Sequence, residues 1–403
     1  MKILHIVPSY LPAIRYGGPV QSVHNLNKAL VAQGAEVTVY TTSANGPKNL
    51  DVPLNTPVDI DGVKVWYFKP GIFRFWFYSR ALHKALRANV RNFDIVHITS
   101  TFLFASTLGT YYAKKSGVPR VISPRGNLMK VPLSMSPLKK KLYLALIERR
   151  NLARADAIHF TSEEEKRDYI ELGFPARTFV VVPNGVEAPK GEVSAEERET
   201  FRKKHDIERD AFVFSYLGRV SRIKGFDVLI PAFAEAAKQH QGAVLLVIGG
   251  DDEKGYLRSV KEQIAQFGVE GKVIFAGMLS GHAKDVALAA SQALVQPSSS
   301  ESFGMSSAEA VVHSIPVIVN TNVGTATVIQ EHSFGEVYRF GETIEENIAA
   351  LSRVMVRMME DDGLLKKFHE NEKKEANIFS QEKVARQFIS AYDSLIKQYE
   401  KRS

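Results

Sequence analysis

Between positions 298 and 312 the chain reads SSSESFGMSSAEAVV, a serine-rich turn that runs into a helix starting near Met305. The first N–H groups of such a helix lack partners within it and carry the positive end of its dipole, which makes an anion site. Gly304 allows close backbone approach ahead of those N–H groups. Glu301 and Glu309 lie eight residues apart, one at the mouth and one in the second helical turn. Beside a phosphate they would repel it unless they face sugar or ribose hydroxyls; by spacing alone they also read as a loop charge and a solvated helix residue. A second run, LGRVSRIKG at 217–225, carries Arg219 and Lys224 off the C-terminal end of a strand, where open α/β sheets bind ligands. A guanidinium fork and a mobile ammonium could together neutralise a departing diphosphate.

Other chemistry is thinner. Gly17 and Gly18, between the first strand and first helix, would let backbone approach a phosphate, but they are not a dinucleotide fingerprint and no acidic residue ends the second strand. Asp251 and Asp252 have no third ligand nearby and read as a solvated loop, so no metal and no resident cofactor are expected. The absence of cysteine removes disulfides, thiolate metal sites and a Cys nucleophile. His97, at a strand end, is the histidine best placed to touch a ligand, although a satisfied structural histidine is the commoner outcome.

These residues need elements to hold them. Short β-rich runs alternate with longer helical patterns, the mark of α/β architecture. In the first half, strands are expected at 2–7, 36–41, 94–98, 120–123, 157–161 and 179–182, with helices at 20–33 and 137–153. In the second, strands are expected at 212–217, 244–248, 273–276, 293–296 and 315–319, with helices at 227–239 and 256–267. Beyond about Thr343 the pattern is almost wholly helical. A length of 403 residues exceeds one compact core. The turn at 183–185 divides it into domains 1–185 and 186–384, with a helix at 385–403 able to pack back on the first.

Charge separates the halves as well. Residues 1–190 hold 26 Lys+Arg against 13 Asp+Glu, and residues 191–403 hold 26 against 31, for net charges of +13 and −5. Aromatics at 73–78 lead into Arg80, Lys84, Arg87 and Arg91, and Lys139–Lys141 open a helix bearing Leu142, Leu146, Ile147, Arg149 and Arg150. Apolar anchors beside Lys and Arg suit an anionic membrane surface; no nucleic-acid motif accompanies the charge. No apolar run reaches the roughly 20 residues of a membrane span, and Pro8 and Pro12 break the apolar start before a signal core forms.

Taken together, ESFGMSSAE at 301–309, GRVSRIKG at 218–225 and VPNGVE at 182–187 resemble the retaining, nucleotide-sugar-dependent glycosyltransferases of family 4 over nearly the whole chain. The resemblance implies the GT-B fold, two Rossmann-like α/β/α domains facing a central cleft, and a cytoplasmic enzyme working without metal, free or at the inner face of the cell membrane. It implies that Glu309 binds the donor ribose and Glu301 the transferred sugar. The backbone at 303–306 with Arg219 and Lys224 would hold the diphosphate, Gly277 and Met278 the base, and the Gly17-Gly18 loop would close over diphosphate and acceptor. Where many relatives have a sugar-touching His, this chain has Arg125, in SPRGN at 123–127 with Asn127 beside it. The segment 320–329, NTNVGTATVI, lacks the family's Gly-Gly and acidic residue. The acceptor implied is a saccharide, free or lipid-linked, in envelope polysaccharide assembly. A GT-B epimerase, a sugar phosphorylase and a non-catalytic nucleotide-sugar-binding scaffold are the alternatives.

Overall fold

The computed structural model describes residues 1–13, 18–72, 74–134, 138–189, 191–251 and 255–401, with the side chains of Phe75 and Lys139 excepted. The chain forms two compact units, Met1–Gly185 with Ser380–Ser403, and Val186–Phe379.

In the first unit, eight strands lie in the order Phe179–Val181, Ala157–Phe160, Arg120–Ser123, Ile95–Thr99, Lys2–Ile6, Glu36–Thr42, Val63–Phe68, Pro57–Ile60. All neighbours are parallel except the last pair. The central strands are apolar runs buried along their length, as a sheet covered on both faces requires. The edge hairpin is absent from the sequence expectations, although Asp61-Gly62 at its tip is a strong hairpin signal: both residues have positive φ, 53° and 81°. The helix expected at 20–33 spans Gly18–Ala32, and the returning C-terminal helix is Gln381–Glu400, its start capped by the Ser380 hydroxyl. Of the helix expected at 137–153, Pro137 lies outside the described residues; Leu138–Arg154 is helical with a π turn at Leu144–Glu148.

The sheet face beneath Gln381–Glu400 is polar in one place. His5, His97 and His159, on three strands, are fully buried, with His5 stacked on His97 at 4.3 Å. Direction along this network is fixed at one end by a carbonyl. His159 Nε2 donates to Val182 O (2.9 Å), so its Nδ1 accepts from the Ser123 hydroxyl (2.7 Å). Ser123 in turn accepts from His97 Nε2 (2.6 Å), and His97 Nδ1 accepts from the Tyr392 hydroxyl (2.6 Å). His5 spans Asn27 Oδ1 (2.7 Å) and Thr99 Oγ1 (2.8 Å). Three histidines together suggest a metal, but these ring nitrogens already serve one another's partners, and no metal-holding group of His, Asp and Glu occurs among the described residues. Protonating a ring would force the hydroxyl that now donates to it to turn and accept instead, breaking the run of donors and acceptors. Burial holds His5 down to about 4 and His159 to about 3, with Arg125 adding to both, and holds His97 well below the ordinary range, with His5 and His159 adding.

In the second unit six parallel strands run Val273–Gly277, Ala243–Ile248, Phe212–Leu217, Ala293–Gln296, Val317–Asn320, Gly335–Tyr338. Numbered along the chain this is order 3-2-1-4-5-6, the doubly wound arrangement whose switch point lies between Phe212–Leu217 and Ala293–Gln296. The expected strands all form, shifted by a residue or two at their ends. The outermost, Gly335–Tyr338, was not expected; it is a short edge strand of mixed character.

The histidine network sets a pH dependence. Unfolded histidines take up protons below about pH 6.5 while the folded ones resist. Stability from this source is therefore complete above pH 6.5 and falls as the pH drops toward 4. Denaturant titrations across that range should show proton uptake on unfolding, reduced by about one proton in His159→Gln. An unchanged uptake in that variant would rule out the network as its source.

Candidate active site

At the switch point the second unit's two chemical runs meet. The strand ending at Leu217 delivers Gly218 and Arg219, then a 3-10 turn, Arg222–Lys224, ahead of the helix Phe226–Gln239. From the neighbouring strand, Gln296 leads through Pro297–Ser300 to Glu301 and the helix Met305–Val312. Ser306 Oγ donates to Leu217 O at 2.6 Å, which ties the helix start to the cationic turn. Lys224 Nζ is paired with Glu301 Oε2, 77 residues away in sequence. Gln296, which the sequence reading passed over, serves both sides: its Nε2 reaches Glu301 Oε2 at 3.5 Å and its Oε1 accepts the Ser307 N–H at 3.2 Å.

Backbone packing here leaves no room for side chains. Gly249 ends the adjacent strand with φ 159°, and a Cβ on it would stand 1.8 Å from Gly218 O. Gly304 caps the helix at φ 103°, with a Cβ position 2.8 Å from both Ser307 Oγ and Val323 Cγ1. Beneath the turn, Tyr216 donates to Arg219 O at 2.8 Å; burial, with Glu301 adding, holds its phenol well above the ordinary range, so it remains a donor. The segment 320–329, from which the resemblance carried nothing, braces the Glu301 loop: Glu301 N–H donates to Asn322 O (3.1 Å) and Gly324 N–H to Glu301 O (2.9 Å). Glu309 projects from the same helix and meets Lys284 Nζ at 2.6 Å, a partner no local motif announced.

Two family models match: Glycosyltransferase Family 4 over residues 16–189 and Glycosyl transferases group 1 over residues 197–375. The chain belongs to the family 4 glycosyltransferases. The alpha-monoglucosyldiacylglycerol synthase of Streptococcus pneumoniae is 26% identical over 85% of this chain and 76% of its own length. A D-inositol 3-phosphate glycosyltransferase of a Nocardioides species is 25% identical over 93% and 85%. In structure, HepE of Anabaena, solved with UDP and glucose, superposes with a TM-score of 0.74 over 98% of this chain and all of that one, at 20% identity. The enzyme has the GT-B fold.

Other expected site residues of the glycosyltransferase are placed as follows. Gly277 ends the strand Val273–Gly277, and Gly277 and Met278 are exposed there, with Met305 and Ser306 half-buried at the helix start. Phe303 differs: its side chain is core, 5.9 Å from Phe379, so only its backbone is available to a ligand. Gly18 opens the first helix, where a Cβ would meet nothing within 4 Å; Gly17 lies outside the described residues, as does Asp252. Arg125, in the first unit, has φ 55° and bonds Asn184 Oδ1 through Nη1. Its loop is fastened by Glu165, which accepts Gly126 N–H at 2.6 Å; Asn127, beside it, is half-buried. Burial lowers the Arg125 guanidinium and raises the Glu165 carboxyl, each countered by the other's charge. The expectation that His97 contacts a sugar is corrected: it is fully buried with both ring nitrogens bonded to Ser123 and Tyr392.

Because Gly249 abuts the Gly218 carbonyl, Gly249→Ala should cost about 2–4 kcal/mol of stability. Equilibrium denaturation measures this, and a variant as stable as the wild type would contradict the packing described.

Proposed function

We propose that this enzyme moves a sugar, with retained anomeric configuration, from a nucleotide-diphosphate sugar to a hydroxyl of a lipid-linked saccharide in cell-envelope polysaccharide synthesis. The observation that carries the reading is the joining of the Arg219–Lys224 turn to the start of the helix Met305–Val312 through Ser306 and Leu217. Donor diphosphate would lie against that helix start, with Arg219 and Lys224 balancing the charge that grows as the sugar leaves. Lys224 would then exchange its bond to Glu301 for a phosphate oxygen, releasing Glu301 to accept from a hydroxyl of the transferred sugar. Glu309 would take the ribose hydroxyls, and the backbone of Gly277 and Met278 the base. In a front-face displacement the leaving phosphate oxygen accepts the acceptor's proton while an oxocarbenium-like sugar passes between them. Arg125 and Asn127 are assigned to the acceptor; a guanidinium can bind hydroxyls or an anionic acceptor but does not serve as a base. The charge on the diphosphate is met by these side chains and the helix end, with no resident cofactor in the scheme.

A lipid acceptor draws support from the first unit and from the S. pneumoniae relative, a synthase of a glucosyldiacylglycerol. No described helix is long and apolar enough to cross a membrane. The helix at 138–154 instead leaves Leu138, Leu142 and Leu146 at 82%, 58% and 51% exposure, on one face at four-residue spacing. Lys141, Arg149 and Arg150 are exposed beside them. In the aromatic run, by contrast, Trp76 and Tyr78 pack on Phe104, and Phe73 lies outside the described residues. We assign the leucine face to the inner, anionic surface of the cell membrane, where each basic residue adds about 1 kcal/mol.

Two experiments test this. With donor and acceptor supplied, Lys224→Ala and Glu301→Ala should each lower turnover by about 100-fold or more while the thermal transition persists; near-wild-type transfer by both refutes the scheme. Flotation with anionic liposomes should recover the wild type but not a Leu142→Glu, Leu146→Glu double variant, and equal recovery of the two would remove the membrane assignment.

A further inference from the structure

The helix His282–Ala289 begins directly after the loop that follows strand Val273–Gly277, with Gly281 as its cap. From its first turn Lys284 reaches Glu309 Oε2 at 2.6 Å, and both side chains are largely buried, 25% and 21% exposed. A second contact sets the register between the two helices. Asp285 Oδ1 lies 3.0 Å from His313 Nε2, and His313 Nδ1 lies 2.8 Å from the backbone oxygen of Glu309 itself. Glu309 is thus held from two sides, by its own carbonyl and by one carboxylate oxygen.

We propose that Lys284 is a positioning residue for Glu309, fixing Oε2 so that Oε1 faces the donor's ribose hydroxyls. This rests on the reading of Glu309 as the ribose ligand. An ionised carboxylate offers about four acceptor directions on two oxygens. On a helix with no partner it would sample several rotamers, and binding would have to order it. A single ammonium, a strong charge-assisted donor, orders one oxygen in advance and leaves the other open. The same contact joins the loop at Gly277 and Met278, assigned to the base, to the carboxylate assigned to the ribose, so both would be set by one helix. It also neutralises a charge that would otherwise face the diphosphate, and a neutralising role alone predicts a different outcome from a positioning one.

Calorimetric titration of the full chain with UDP and GDP, each as the ribo and the 2′-deoxyribo form, separates them. Wild type should bind at least one ribonucleotide roughly tenfold or more tighter than its 2′-deoxy form, and Glu309→Gln should erase that preference. Lys284→Met should lower ribonucleotide affinity about tenfold, leave 2′-deoxynucleotide affinity within threefold, and so bring the ratio near one; Lys284→Arg should restore most of it. Because the ratio is taken within each variant, partial loss of folded protein cancels. A Lys284→Met enzyme that keeps the wild-type ratio, including one that loses both forms equally, overturns the proposal while leaving the ribose role of Glu309 intact. A wild type that binds neither nucleotide, or a Glu309→Gln variant with undiminished preference, overturns the ribose reading and the proposal with it.

Discussion

Two carboxylates flank the start of a helix that is otherwise suited to an anion, and the second unit is built around that conflict. Unit charges of like sign at 4 Å repel by about 4 kcal/mol at the effective dielectric of a protein surface, enough to cancel much of what a helix terminus offers a phosphate. In the folded chain neither carboxylate stands alone: Glu301 is paired with Lys224 and Glu309 with Lys284. Arg219 and Arg222, on the same run as Lys224, add further positive charge. In the proposed scheme the carboxylates can then serve hydroxyls without making the place hostile to phosphate. Each lysine arrives from a different element, so the pairing depends on sheet order more than on any local turn.

Sheet order supplies it through the backbone. The switch between strands Phe212–Leu217 and Ala293–Gln296 opens the sheet's C-terminal edge at one place, and the loops leaving those two strands are the ones to which the proposed chemistry is assigned. Atoms there are packed to contact. The Gly218 carbonyl lies where a side chain on Gly249 would stand, and Ser306 reaches back to Leu217. A rigid floor of this kind fixes where the backbone bearing Arg219 and Lys224 leaves the sheet.

The first unit applies a related sheet to another purpose. Its interior accepts a hydrogen-bonded run of histidines, closed by Tyr392 from a helix that follows the whole second unit in the chain. The neutral rings are stable there because each donor meets an acceptor from Tyr392 to Val182. Its outer surface carries the excess positive charge and a leucine-faced helix. The opposed net charges of the two halves therefore correspond to two compact units.

Strands, turns and helices were largely legible in the residues, because apolar runs, glycines and caps act over a few positions and those interactions survive in any context. The cationic turn, the helix start and the spacing of Glu301 and Glu309 belong to that level, as did the Asp61-Gly62 hairpin signal that went unused. Side-chain partnership does not. Lys224 and Glu301 are 77 residues apart, and Tyr392 and His97 are 295 apart; no periodicity links them. His97 looked accessible at the end of a strand until a distant helix covered it, and Lys284 looked like any surface lysine until its helix was set against Glu309. The chain's own order of residues determined which chemical groups exist and which local backbone presents them. Only the folded sheet, by choosing which strand ends become neighbours, decided which charges meet and which polar groups are shut away from a ligand.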